Sequence, residues 1–449
     1  MSKNITYNKI DKIINQVNLI KPVLYFGYVK SVKGLLIEVV GLEKKATIGS
    51  CCQIKNRDNK IIDAEVIGIN NETTLLIPLQ NTIGIAAGCE VMLIGESHII
   101  YPDISWLGRV INALGHPIDG KGPLLAGTQP YSIHNTPPPA HTRMRVGSKV
   151  DMGIRTINTF LSCCIGQRMG IFAGSGVGKS MMLAMIAKFA KVDVKIIGLI
   201  GERGREVQEF IEDYLGPTGL ARSIVIVATS DESAILRRQA AYTSLALAEY
   251  FRDQDMHVLC MLDSLTRFAM AQRDIGLASG EPPTTRGYTP SVFNELPKLL
   301  ERAGPGVNGY ITGLFSVLVE GGDMDEPIAD AVRGILDGHI ILKRKIASRG
   351  IYPAIDILES ISRMIPRCNT PKENKLIEIA KNYLSIYTDM EDMIRIGAYK
   401  KGSDKDVDTS IKYYESLSKF MTQAPDDYNS LQESYNLLAK SIEYDEFFV

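Results

Sequence analysis

Residues 173 to 180 read Ala-Gly-Ser-Gly-Val-Gly-Lys-Ser, between an apolar run, Met169 to Phe172, and a helix-forming stretch, Met181 to Lys188. The alternating glycines let backbone N–H groups turn inward, and the start of a helix adds its positive end. Strand, glycine-rich loop and helix in this order build a cradle for phosphates, which implies a nucleotide ligand. Gly174, Ser175, Gly176, Val177 and Gly178 supply the loop backbone, Lys179 reaches the β and γ phosphates, and the Ser180 hydroxyl is placed to hold magnesium.

Such a loop belongs to an α/β fold, and from 147 to 368 apolar runs alternate with helical stretches as a mainly parallel sheet requires. Strands are expected at Met169 to Phe172, Val194 to Ile200, Ile224 to Ala228, Val258 to Leu262 and Tyr310 to Val319. The fourth runs into Asp263, which a buried strand delivers to the sheet edge where phosphate loops bind, making it the candidate for positioning magnesium. The second runs into Gly201-Glu-Arg-Gly-Arg-Glu206, so Glu202 is the candidate that orients or deprotonates water. Glu206 in that role, or a surface ion-paired cluster, are the alternatives. Arg267, one helical turn beyond Asp263, either faces the phosphates or is a solvated helix charge.

Outside this core the texture changes. At 1–20 apolar residues recur three or four apart, the pattern of an amphipathic helix that packs on its own chain or docks on a partner or membrane surface. Short apolar runs split by turn residues at 21–97 predict a small β-barrel, and the glycine- and proline-rich stretch at 98–146 an ordered connector. Helical spacing returns at 369–449, with one helix from Leu376 and another near Ile411 to Thr422. The acidic stretch at Asp404, Asp406 and Asp408 echoes a calcium loop, but Thr409 stands where the sharp turn needs glycine; it reads as a helix-capping turn.

Charge and cysteines narrow the classes. Fifty basic against 51 acidic residues give no global field for nucleic acid. Seven cysteines without Cys-x-x-Cys spacing point to free thiols in a reducing compartment. With no secretory leader and no run of roughly 18 to 20 apolar residues, a cytoplasmic protein with at most peripheral membrane contact is expected.

Taken together, Gly-Ser-Gly-Val-Gly-Lys-Ser180, Gly201-Glu-Arg-Gly-Arg-Glu, Leu262-Asp-Ser-Leu-Thr-Arg-Phe and Tyr352-Pro-Ala-Ile-Asp with Ser360-Ile-Ser-Arg363 resemble catalytic subunits related to rotary ATP synthases. More closely, the chain resembles the secretion ATPases of bacterial flagella and type III injectisomes, from about residue 21 to 400. The wording of Phe172 to Ser180 and of Ala331-Val-Arg-Gly-Ile-Leu-Asp-Gly favours the flagellar branch. One departure is Gly322, where relatives commonly carry an aspartate.

The resemblance implies a RecA-like ATPase core between an N-terminal β-barrel and a C-terminal helical domain, assembled as a homohexamer that binds ATP and Mg2+. It makes Glu202 the catalytic carboxylate, Arg267 a phosphate ligand and Tyr352 the ring against adenine. Arg363 becomes the arginine finger that reaches the neighbour's nucleotide, and Arg203 part of the nucleotide site. Implied partners are the stator or regulator, stalk and gate proteins of an export apparatus at the inner membrane, and export substrates with their chaperones. A rotary synthase subunit, an RNA-translocating hexameric helicase and a nucleotide-binding ring without turnover are the competing readings.

Overall fold

The computed structural model describes residues 23–95, 98–319 and 322–448. The expected amphipathic helix at 1–20 lies outside the described residues. The chain divides into two compact units, residues 1–98 and 99–449.

In the first unit six antiparallel strands close into a barrel: β1 (Tyr25–Lys33), β2 (Leu36–Val40), β3 (Cys51–Lys55), β4 (Ile61–Ile69), β5 (Thr74–Pro78) and β6 (Glu90–Gly95), in the order β1-β2-β5-β4-β3-β6. Alternation along the strands fills the interior. Ile37 and Val39 point inward between Leu36, Glu38 and Val40, and meet Ile54, Val66, Leu76 and Val91. Closure leaves no unpaired edge, which a strand set this short needs to be stable in water.

The second unit is built on a sheet of nine strands. Chain order gives β7 (Ile99–Ile100), β8 (Val110–Asn112), β9 (Tyr131–Ser132), β10 (Arg168–Ala173), β11 (Val194–Glu202), β12 (Ser223–Thr229), β13 (His257–Asp263), β14 (Gly304–Pro305), β15 (Tyr310–Leu318), β16 (Gly338–Leu342) and β17 (Ile355–Ser362). The sheet runs β17-β16-β10-β15-β13-β11-β12-β8, with β14 on β15, while β7 and β9 form a separate ribbon. All pairs in the main order are parallel except β16 with β17. Period-two alternation sends Met169, Ile171, Ile197, Leu199 and Met261 into one core, and Phe172, Ile196, Ile200, Cys260 and Leu262 into the other. Burial on both faces explains why these strands read as continuous apolar runs.

All five expected strands are present, four of them extended by one or two residues at an end and the fifth ending at Leu318, one residue short of the expected Val319. Two differences from the sequence reading stand out. The stretch read as a connector contributes β8 to the sheet edge beside β12, a three-residue strand too short to leave a periodic signal. The C-terminal region holds three helices, Pro371–Arg395, Lys405–Met421 and Leu431–Ser441, where two were expected. Capping boxes at Thr370 with Glu373 and at Ser430 with Glu433 start the first and third. Asp404 accepts from the Asp406 and Val407 N–H groups and caps the second, so the calcium-like stretch is a helix start. Leu376, Ala380, Leu417, Phe420 and Leu438 join the same core as one face of the sheet, so these helices share a core with the nucleotide loop's own helix.

The connector is docked by a buried ion pair. Arg302 donates to both carboxylate oxygens of Glu249 at 2.8 Å and to the Ile133 carbonyl, while Asn135 donates to Glu249 at 3.2 Å. Both charges are essentially inaccessible to water. Removing one partner strands the other in low dielectric, so Arg302→Ala is expected to cost about 3 kcal/mol or more in denaturant unfolding. A cost under about 1 kcal/mol would contradict this account.

Candidate active site

Strand β10 ends at Ala173, and the chain turns through Gly174–Gly178 into the helix Lys179–Phe189. Gly176 and Gly178 adopt φ of +75° and +85°, which side-chain-bearing residues rarely reach. Gly178 is needed for a second reason: a Cβ there would lie 3.2 Å from the Tyr352 ring. The loop and Tyr352 therefore face each other across a narrow gap.

Parallel neighbours β11 and β13 deliver Glu202 and Asp263 to the same sheet edge, with Leu199 in register with Asp263. Between them lies the Lys179 ammonium, in direct contact with Asp263 and 3.7 Å from Glu202. The Ser316 hydroxyl on β15 donates to Asp263 at 2.6 Å. Burial, then the charge of Asp263, raises Glu202 from the ordinary 4.5 to about 7, although Lys179 opposes the shift. Gly201 stands at φ +69°, and a Cβ there would lie 2.8 Å from the Cβ of Arg267. A glycine at that point lets the helix Leu265–Ala278 carry Arg267 over the strand end. Its Nε is buried and has no acceptor among the described residues, a donor suited to an anion.

These groups surround a cleft of about 1420 Å³, lined by the whole loop, Lys179, Ser180, Glu202, Arg203, Arg267 and Tyr352. Arg203 sits at its exposed rim, 3.7 Å from Glu206. Asp263 lies behind Lys179 rather than on the wall. Gly322 lines the cleft, and Asp323 beside it pairs with Arg286 at 2.6 Å.

Arg363 is elsewhere. Because β17 runs antiparallel to β16, Tyr352 precedes its start at the loop edge, whereas Arg363 follows Ser362, which is in register with Gly338 at the other edge, and donates its N–H to the Asp337 carbonyl. The partner strand takes four steps from Gly338 to Leu342, which at about 3.3 Å each separates the two ends of β17 by about 13 Å along the sheet. Arg363 is exposed, and its guanidinium reaches the Arg333 carbonyl.

Two contributors to the cleft had no sequence argument. Arg344, after β16, donates to the Ser175 carbonyl at 3.1 Å. Gln423, between C-terminal helices, donates its backbone N–H to the Tyr352 carbonyl at 2.8 Å and, with Pro425, closes the side near Tyr352. The basic run Lys343-Arg344-Lys345 directly after an apolar strand was a usable signal for Arg344; Gln423 carries none, since long-range folding alone brings it in.

The donor set suits a hard cation held mainly by phosphates and water: one hydroxyl at Ser180, the carboxylate of Asp263, and no nitrogen or sulfur ligands. Among the described residues no three acidic, histidine or cysteine side chains form a metal cage of their own.

Comparison with known proteins follows this architecture. The ATP synthase alpha/beta family models match in two parts, the nucleotide-binding domain at residues 153–362 and the beta-barrel domain at 29–95. The C-terminal domain of the type III secretion ATPase EscN matches residues 369–440. The chain is 51% identical over 438 residues to the flagellum-specific ATP synthase of Caulobacter vibrioides, covering 96% of this chain and 99% of that one. It is 43% identical over 414 residues to the type 3 secretion system ATPase of Xanthomonas euvesicatoria, covering 92% and 93%. The assembled ATPase EscN of enteropathogenic E. coli superposes with a TM-score of 0.88 at 39% identity, covering 93% of this chain and all of that one. EscN in complex with its central stalk EscO superposes at 0.85.

The Glu202 shift has a consequence for stability. A carboxyl group raised on folding holds its proton more tightly in the folded chain, so it stabilises the fold at low pH and that contribution is lost as pH rises from 4.5 through about 7. Glu202→Gln, which does not titrate, is expected to melt above the wild type at pH 8, the gap closing toward pH 5. A gap independent of pH in calorimetry would refute the assignment.

Proposed function

The chain belongs to the family of flagellar and type III secretion ATPases, and from that premise we propose that it hydrolyses ATP as a homohexameric ring that powers protein export, most closely of the flagellar kind. Flagellum-specific relatives at 51% and 48% identity support that branch. The observation that carries the ring is the placement of Tyr352 and Arg363 at opposite edges of one sheet. In this reading a nucleotide site that uses both residues draws Tyr352 from one chain and Arg363 from the next.

In this reading adenine lies on Tyr352 and the phosphates lie in the loop 174–178, with Lys179 turning from Asp263 toward the β and γ oxygens. Ser180 and Asp263 would hold magnesium, which neutralises phosphate charge when bound. Arg203, at the rim, and Arg267, beside Gly201, add positive charge near Glu202. Glu202, kept near neutrality in proton affinity, orients the attacking water and accepts its proton at a carboxylate oxygen. The neighbour's Arg363 stabilises the charge that builds on the transferred phosphoryl group.

The EscN–EscO complex supports a central stalk as partner. The stator or regulator, the gate, and substrates with chaperones complete the proposed set, with the ring in the cytoplasm and peripherally attached to the inner membrane. Among the described residues no helix is long and apolar enough to cross a membrane. The near-balanced charge speaks against nucleic acid as a partner.

Mixing two inactive variants tests the shared site. Lys179→Ala disables a chain's own loop, and Arg363→Ala, expected to lower turnover about 1,000-fold, disables its neighbour's site. In a ring with heterologous contacts, an equal mixture rebuilds roughly a quarter of the interfaces. Phosphate release should recover toward that fraction on co-assembly. Rings of confirmed mixed composition that stay inactive would rule out donation in trans.

A further inference from the structure

The crest of the phosphate loop is open. Nothing lies within 4 Å of the position a Cβ would take on Gly176, and among the described residues the loop 174–178 receives one side-chain hydrogen bond, from Arg344 to the Ser175 carbonyl at 3.1 Å. A trans peptide is planar, with its C=O and N–H pointing in opposite directions. Holding the Ser175 carbonyl therefore also fixes the direction of the Gly176 N–H, one of the loop's phosphate donors. Because the residue after this peptide is glycine, at φ +75°, rotation of the plane meets little steric resistance and the loop itself does not select an orientation.

The base of Arg344 is pinned on both sides. Lys343 pairs with Asp356 at 3.1 Å and with Glu359 on β17. Lys345 lies 3.3 Å from Glu391, a buried carboxylate near the end of the helix Pro371–Arg395, and Arg349 donates to the same group at 2.8 Å. Of the three consecutive basic residues, the outer two are neutralised by carboxylates and the central one is aimed at the loop. Arg344 has no ion-pair partner among the described residues.

We propose that Arg344 is a positioning residue that holds the Ser175–Gly176 peptide in its phosphate-binding orientation, and that Glu391 ties this setting to the C-terminal helix. The inference rests on the nucleotide-site reading above. It gives the C-terminal helices a physical route to the affinity of the loop: displacing Glu391 moves Lys345 and Arg349, and with them the short helix Arg344–Ala347 that begins at the guanidinium.

The test uses the full chain, with KM and kcat for ATP read beside the melting temperature. Arg344→Ala should raise KM about tenfold, the scale of one charge-assisted hydrogen bond, with an unchanged melting temperature. Arg344→Lys, which can still offer one N–H to a carbonyl, should recover most of the loss. Glu391→Gln should raise KM as well, and the double variant Arg344→Ala with Glu391→Gln should be no worse than Arg344→Ala alone. A KM within twofold of wild type in Arg344→Ala, or a lysine variant as impaired as the alanine, overturns the positioning role. Additive effects in the double variant overturn the tie to Glu391. Lys179→Ala separates these outcomes from failure of the site itself: if it turns over ATP normally, the nucleotide site lies elsewhere.

Discussion

The Lys179 ammonium lodged between Asp263 and Glu202 is the interaction on which the site depends. Two carboxylates close together in a half-dry pocket repel, and each resists ionisation on burial. One cation touches Asp263 directly and lies 3.7 Å from Glu202, which stays raised to about 7. The two carboxylates thereby take different places: Asp263 contacts the lysine directly, and Glu202, raised to about 7, is poised to exchange a proton at neutral pH. On the proposed reading, incoming phosphates would compete for the lysine, so ligand binding and the electrostatics of Glu202 would be linked through a single side chain.

Parallel strand order supplies the rest of the arrangement. In an open α/β sheet the carboxyl ends of adjacent strands form one ledge, and β10, β11, β13 and β15 place the loop, Glu202, Asp263 and Ser316 around it. Only β17 in the main sheet order runs the other way, and its reversal sends its two ends to different edges. On the proposed arrangement, this one antiparallel step in the main sheet order is what divides labour between a chain and its neighbour.

How much of this was legible in the sequence follows from the same physics. Strands buried on both faces announce themselves as apolar runs, so β10 to β13 and β15 were readable, as were the loop, Glu202 and Asp263 at their ends. β17 was not, because Asp356, Glu359 and Ser360 interrupt it; nor was β8, three residues at a sheet edge. Tyr352 and Arg363 were named from resemblance, and strand polarity now supplies a reason for their separation. Arg344 and Gln423 reach the cleft through tertiary folding from distant sequence, which no local pattern encodes.

The reversed strand has a genetic corollary. On the proposed arrangement each chain works in two sites, its own and its neighbour's, so a copy defective at both ends of β17 silences two catalytic centres in any ring it enters. Activity in a cell that makes both intact and defective chains then falls faster than the intact fraction. Alleles that disable both ends of this one strand would behave as partly dominant, while lesions confined to the loop would act in proportion to their dose.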